Sequence, residues 1–137
     1  MIQNRDVRLV AFDPQHCDSS AACAKRLGWP SYADPEVALA AFSAPGSATW
    51  VAVQHEQVVG LAHLLTNGVV HAHLSLVGVL PELRRRGIAT RLIEHAFQQS
   101  GAKWLDLWAE PDSVAFYRSF SHQEHPGFRV YPAAPAA

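Results

Sequence analysis

The segment from residue 77 to residue 89 constrains the fold most, because an apolar strand passes through a proline turn directly into a helix. It reads Val-Gly-Val-Leu-Pro-Glu-Leu-Arg-Arg-Arg-Gly-Ile-Ala. From Ile88 onwards apolar residues recur every three or four positions, which predicts an amphipathic helix of about three turns that ends near Gly101. The helix is therefore expected to begin just outside the carboxyl end of the strand.

The start of this helix has the composition of an anion-binding site. The first N–H groups of a helix have no partner within it, and the macrodipole places about half a positive charge there. Gly87 has no Cβ, so a ligand can approach its backbone, and the small Ala89 keeps the next position open. The turn also carries Arg84, Arg85 and Arg86. Because the segment lacks the P-loop and Gly-x-Gly-x-x-Gly patterns, we expect a pyrophosphate site of another kind.

These residues resemble the signature of the GNAT superfamily of acetyl-CoA-dependent N-acetyltransferases. In that family an Arg/Gln-x-x-Gly-x-Gly/Ala motif follows a strand that ends in Val-x-Pro or a similar sequence. Arg84, Gly87 and Ala89 match the motif, while Val79 and Pro81 stand at the strand end and the turn. The resemblance therefore starts from the same residues that predict the anion site.

A second block of the sequence also resembles this family. Residues 103–110 are similar to its fifth strand, and residues 113–117 to the helix with its Ala-x-x-Phe-Tyr motif, so that the two blocks together cover about residues 69 to 122. The second block departs from the family pattern in two ways. Glu110 stands where an asparagine is frequent, and Tyr117 is not followed by the usual Gly-Phe.

The predicted order of elements is strand, helix, helix, three antiparallel strands, helix, strand, helix and strand. With the resemblance, it predicts an α/β fold of the GNAT type. This fold has a central, mostly antiparallel twisted sheet, helices on both faces, and a splay between the fourth and fifth strands. We expect the last strand at 128–131. Residues 1–131 are expected to form a single acetyltransferase domain, and residues 132–137, rich in proline and alanine, to be disordered.

The resemblance implies that acetyl-CoA is the acetyl donor and CoA the product. The pantetheine arm would lie in the splay against backbone groups near the end of the fourth strand, and the pyrophosphate at the start of the next helix. The residues implied to bind the cofactor are Val77, Gly78, Val79, Arg84, Arg85, Arg86, Gly87, Ile88, Ala89 and Thr90.

The resemblance also implies catalytic residues. Tyr117 matches the tyrosine that donates a proton to the departing sulfur, and a tyrosine with a pKa of about 10 is protonated at neutral pH. His73 stands where many relatives have a glutamate that acts as base, and a histidine with a pKa of about 6.5 can accept a proton. His71 and Glu110 are alternative bases. Both residues also have a non-catalytic interpretation. Tyr117 could simply pack in its helix, and His73 could simply be an exposed residue on a face of the sheet.

The dipeptide Asn67-Gly68 predicts a two-residue hairpin turn. Such a turn would pair His63 with Ala72 and place His63 on the opposite face of the sheet from His71 and His73. We therefore expect no zinc site among these three histidines.

Composition limits the partners and the setting. The 137 residues include 11 basic and 12 acidic residues, a net charge of -1, which gives no reason to expect nucleic acid or an anionic membrane as partner. Cys17 and Cys23 are six residues apart on a predicted helix, so neither a disulfide nor a metal pair is expected. The N-terminus lacks an apolar signal core and no apolar run could span a bilayer, which predicts a soluble, cytoplasmic protein.

The resulting functional hypothesis is transfer of an acetyl group from acetyl-CoA to a primary amine of a small molecule, by direct attack in a ternary complex. The alternative is a non-catalytic acyl-CoA-binding or regulatory domain of the same fold. The sequence does not identify the amine. It also leaves the oligomeric state open, a homodimer being one alternative.

Overall fold

The computed structural model describes residues 6–135. The first five residues, which belong to the segment examined for a signal core, and the last two residues of the predicted tail lie outside the described residues. The chain divides into two compact units, Met1–Leu107 and Trp108–Ala137, which are described separately. Among residues 6–135 no helix has both the length and the apolar composition needed to cross a membrane.

The first unit is built around one five-stranded sheet. The strands pair in the order β1-β2-β3-β4-β5, antiparallel from β1 to β4 and parallel between β4 and β5. This arrangement confirms the predicted fold class. The elements in chain order are β1 Arg8–Ala11, α1 Cys17–Arg26, α2 Pro35–Phe42, β2 Ser47–Gln54, β3 Gln57–Thr66, β4 His71–Val79, α3 Ile88–Ser100 and β5 Trp104–Asp106.

Local sequence signals explain where the helices begin and end. The Asp13 carboxylate accepts a hydrogen bond from the N–H of Gln15 ahead of α1, and Asp34 accepts one from the N–H of Glu36 at the start of α2. Gly101 adopts the left-handed conformation that ends α3, with φ of 75°. The predicted end of α3 near Gly101 is therefore confirmed.

Helices cover both faces of the sheet. Thr49 and Trp50 are consecutive in β2, so their side chains point to opposite faces. The Thr49 hydroxyl donates to the carbonyl of Phe42 in α2, at 3.3 Å, while the Trp50 ring stacks on His95 of α3 at 4.8 Å between centroids. Between these layers lie the most deeply buried large side chains, Leu61, Leu64, Leu83, Ile88 and Leu92.

The predicted two-residue turn at Asn67-Gly68 is wrong. Thr66 pairs with Ala72, so the loop between β3 and β4 is longer than a two-residue turn. The Asn67 side chain explains the difference, because its Oδ1 accepts hydrogen bonds from the N–H groups of Val69, Val70 and His71 at 2.9, 2.9 and 3.2 Å. These bonds stabilise the wider loop, which a dipeptide rule does not anticipate.

The predicted separation of the histidines is wrong for the same reason. In the observed register Leu65 pairs with His73, and His63 lies two residues from Leu65 in β3, so His63 and His73 share a face. Beyond this point β4 holds one extra residue, Ser75, because the pairing passes from Leu74 directly to Leu76. Among residues 6–135 no three or more His, Cys, Asp or Glu side chains are placed so that they could hold a metal ion together.

The second unit contains one helix, α4 Val114–Arg118, within its described residues. The ring of Phe116 makes edge contacts with Tyr117 and Phe120. The predicted last strand at 128–131 does not form, because these residues have no strand partner and are largely exposed. Arg129 of this segment instead packs on the indole of Trp108, with its guanidinium 5.1 Å from the centre of the ring.

His63 generates a prediction about acid stability. It is 2% exposed, and its Nδ1 forms a hydrogen bond with the Thr49 hydroxyl at 2.8 Å. Burial lowers the pKa of His63 from 6.5 to about 4. The unfolded chain therefore binds a proton more readily between these values, so stability is complete above pH 6.5 and is lost as pH falls towards 4.

We expect the free energy of unfolding to fall by roughly 3 kcal/mol across this window. His63→Gln should remove most of the slope, measured by urea unfolding at a series of pH values. The control is His55→Asn in the β2–β3 turn, an exposed histidine with φ of 52°, a conformation that asparagine tolerates. An equal slope in wild type and His63→Gln would contradict the role of His63.

Candidate functional site

The fourth strand has an open edge where the fifth strand ends. β5 pairs only with the first three residues of β4, through His71–Trp104, Ala72–Leu105 and His73–Asp106. β4 then continues for six residues, Leu74–Val79, of which all except Ser75 pair with β3 and none pairs with another strand within the described part of the chain. At about 3.3 Å per residue this edge is roughly 20 Å long. It corresponds to the predicted splay.

Backbone groups of Val77 and Val79 point into this open edge. The N–H of Leu80 donates to the carbonyl of Val59 at 2.8 Å, which fixes the alternation of the antiparallel ladder. Leu76 and Gly78 accordingly direct their backbone groups towards β3, whereas those of Val77 and Val79 face away from it. The predicted cofactor-binding edge therefore offers hydrogen-bonding groups of the main chain.

Two side-chain contacts hold the turn that follows β4. The Nε–H of Arg84 donates to the carbonyl of Val79 at 2.9 Å, and Arg26 of α1 forms two hydrogen bonds with Glu82 at 2.8 and 3.1 Å. The pKa of Glu82 is lowered, first by its hydrogen bond to Arg26. Arg84, predicted to bind the cofactor, thus also braces the chain between β4 and α3.

The start of α3 lies open at the end of this turn. The first hydrogen bond of the helix runs from the N–H of Arg91 to the carbonyl of Gly87 at 3.1 Å, so the N–H groups of Ile88, Ala89 and Thr90 have no acceptor within the helix. Gly87 caps the helix without a side chain, and no heavy atom lies within 4 Å of the position its Cβ would take. These donors can bind an anion.

The remaining charge at the turn comes from exposed Arg85 and half-buried Arg86. Arg85 and Gly87 both have positive φ, of 63° and 77°. Where residues of left-handed and right-handed conformation alternate, successive backbone N–H groups can form a concave site for an anion. All the predicted cofactor residues thus lie on one continuous path from β4 into α3.

An aromatic side chain closes one face of the open edge. A Cβ on Gly78 would lie 2.9 Å from the ring of Trp29 and 3.0 Å from Leu27, so the absence of a side chain lets the indole pack on the β4 backbone. The sequence analysis did not identify Trp29 as part of the site. A glycine inside an apolar strand was the available signal for such a close contact.

His73 lies where β4 and β5 part, beside a second histidine and a carboxylate. His71 Nε2 is 2.7 Å from Asp106 Oδ2, and His73 is paired with Asp106 in the ladder. The pKa of His73 is lowered, mainly by burial, with His71 acting in the same direction and Asp106 in the opposite one. A neutral His73 can accept a proton near pH 7. Asp106 was missed, because this contact joins residues 35 apart in sequence.

The other catalytic candidates belong to the second unit. Tyr117 lies in α4, with its ring 5.0 Å from that of Phe116, and burial raises its pKa, so the hydroxyl stays protonated at neutral pH. Glu110 immediately precedes the short turn Pro111–Ser113. The candidate cofactor residues and His73 belong to the first unit.

Comparison with known families gives a match over most of the chain. Residues 15–121 match the model described as the acetyltransferase (GNAT) family, well over half of the 137 residues. No sequence among the curated proteins matches the chain significantly.

Solved structures of the same fold cover nearly the whole chain. A GNAT-family acetyltransferase from Streptococcus pneumoniae TIGR4 is 22% identical, with a TM-score of 0.75 over 93% of this chain and 99% of its own. An acetyltransferase from Trypanosoma brucei is 20% identical, with a TM-score of 0.74 over 92% and 99%. The aminoglycoside N-acetyltransferase AAC(6')-Iy, in complex with a CoA bisubstrate analogue, is 20% identical, with a TM-score of 0.73 over 91% and 96%. At these identities the likeness shows a shared fold.

Proposed function

Because the chain belongs to the acetyltransferase (GNAT) family, we propose that it transfers an acetyl group from acetyl-CoA to a primary amine of a small molecule. One observation carries this proposal. The open edge of β4 is joined by a single turn to the start of α3, where no side chain caps the first N–H groups. The amine attacks directly while both substrates are bound. The family match crosses the boundary between the two units, which supports a single acetyltransferase domain over residues 1–131.

The residues of this path fit acetyl-CoA. The N–H groups of Ile88, Ala89 and Thr90 would bind the pyrophosphate, with positive charge from the arginines of the preceding turn. Backbone groups of Val77 and Val79 would bind the amide groups of the pantetheine arm. An arm that extends back along β4 would carry the thioester towards His73, where the two strands part.

The bound donor supplies an activated thioester, and the chain supplies proton transfer. In our proposal His73 accepts a proton from the amine, either directly or through a water molecule, so that the nitrogen lone pair is free to attack. A C–N bond forms as the C–S bond breaks, and Tyr117 gives its proton to the departing sulfur. The acid and the base are then restored by exchange with solvent.

A cytoplasmic location stays a prediction.

Binding of CoA tests the start of α3. Gly87→Ala should raise the Kd for CoA about tenfold, because an L side chain at φ of 77° strains the first turn and its methyl group faces the bound phosphates. Isothermal titration calorimetry measures the change. Gly46→Ala is the control, since Gly46 has φ of 83° but lines a cavity with Ser100 at the other end of α3. Equal affinities of wild type and Gly87→Ala would refute the anion site.

Replacement of Tyr117 tests the proposed acid. Tyr117→Phe should lower kcat about a hundredfold while the Kd for CoA changes little, because only the proton donor is removed. Release of CoA with a panel of amines measures the rate. The control is Tyr131→Phe, since Tyr131 is an exposed tyrosine of the same unit. An undiminished rate would exclude Tyr117 as acid, and CoA binding without turnover on any amine would favour the non-catalytic alternative.

The pH profile tests the proposed base. In wild type kcat/KM should fall as the pH drops below the lowered pKa of His73, because the protonated ring cannot accept a proton. His73→Gln should lower the plateau and remove this acidic limb. His71→Gln serves as the matched comparison on the same strand face. If it abolishes the limb while His73→Gln keeps it, the base is His71 instead.

A further inference from the structure

Five side chains form a cluster on one face at the corner of the sheet. The strand pairs Leu65–His73, His73–Asp106 and His71–Trp104 place neighbouring residues on the same side, and the 2.7 Å contact between His71 and Asp106 joins the two rows. We call this group, Leu65, His71, His73, Trp104 and Asp106, the corner cluster. It lies where β4 and β5 part, so it adjoins the end of the open edge.

The corner cluster combines one carboxylate with exposed apolar surface. The Asp106 side chain is 63% exposed, and only its Oδ2 is occupied by His71, so Oδ1 can accept further hydrogen bonds. Trp104 and Leu65 are 53% and 48% exposed. Large apolar side chains exposed beside a carboxylate match the chemistry of an organic cation, which an indole face also attracts.

Asp106 is the one acidic side chain of the corner cluster. The pKa of His73 is held down mainly by burial, so this ring adds no charge there. Asp106 therefore supplies the acceptor of the corner cluster for a cationic group.

We propose that the corner cluster is the acceptor subsite for an amine that carries a second cationic group. Asp106 binds this second cation, the Trp104 ring and Leu65 contact the aliphatic chain, and the reacting amine lies over His73. The inference rests on the proposed function, in which His73 is the base. His73 and Asp106 are on adjacent strands, about 5 Å apart, a separation that a short diamine can span.

Two amines of equal chain length test this subsite. With wild type, kcat/KM for diaminobutane should exceed that for butylamine about tenfold, through a lower KM. Asp106→Asn should abolish this preference by raising the KM for diaminobutane about tenfold more than the KM for butylamine. The ratio between the amines cancels any effect of Asp106 on the basicity of His73. Asp18→Asn, an identical change at an exposed position of α1, should keep the preference.

Calorimetry separates failure of the subsite from failure of the proposed function. Diaminobutane is titrated into the protein with and without saturating CoA, and Asp106→Asn should bind it about tenfold more weakly than wild type. Equal affinities, or no diamine binding in either condition, would overturn the subsite even if butylamine is acetylated. Diamine binding that depends on Asp106, without acetyl transfer, would support the subsite and count against the proposed function.

Discussion

The one-sided pairing of β4 is the constraint on which the candidate site depends. A strand inside a sheet normally satisfies its backbone groups on both sides, but beyond His73 the fifth strand no longer runs beside β4. The N–H and C=O groups of Val77 and the N–H of Val79 then need partners of another kind. An extended ligand with its own amide groups meets this need, in the manner of an added strand. The binding edge is thus a consequence of where the fifth strand stops.

The surrounding contacts keep this edge rigid. Trp29 packs on the bare backbone of Gly78, and the bond between Arg26 and Glu82 holds the turn against α1. These contacts come from the first half of the chain, far from β4 in sequence. They fix the main chain before any ligand arrives, which limits the ordering that binding would require.

Features set by neighbouring residues were predictable from the sequence. The 3.6-residue period and Gly101 define α3, because the interactions concerned span only a few residues. The register between β3 and β4 was not predictable, since it depends on bonds from one Asn67 oxygen and on the extra residue Ser75. Asp106 escaped notice for a related reason, as its partner lies on another strand.

The contact between Arg84 and Val79 gives the first position of the signature motif a meaning other than charge. The bond to the Val79 carbonyl comes from Nε, the donor within the side chain, and leaves the end of the guanidinium at an exposed position. Glutamine, the other residue of the motif, shares with arginine a planar nitrogen donor but has no charge. Lysine has the charge without that planar geometry. In this chain the first position of the motif therefore supplies a directional donor that holds a carbonyl, in addition to its positive charge.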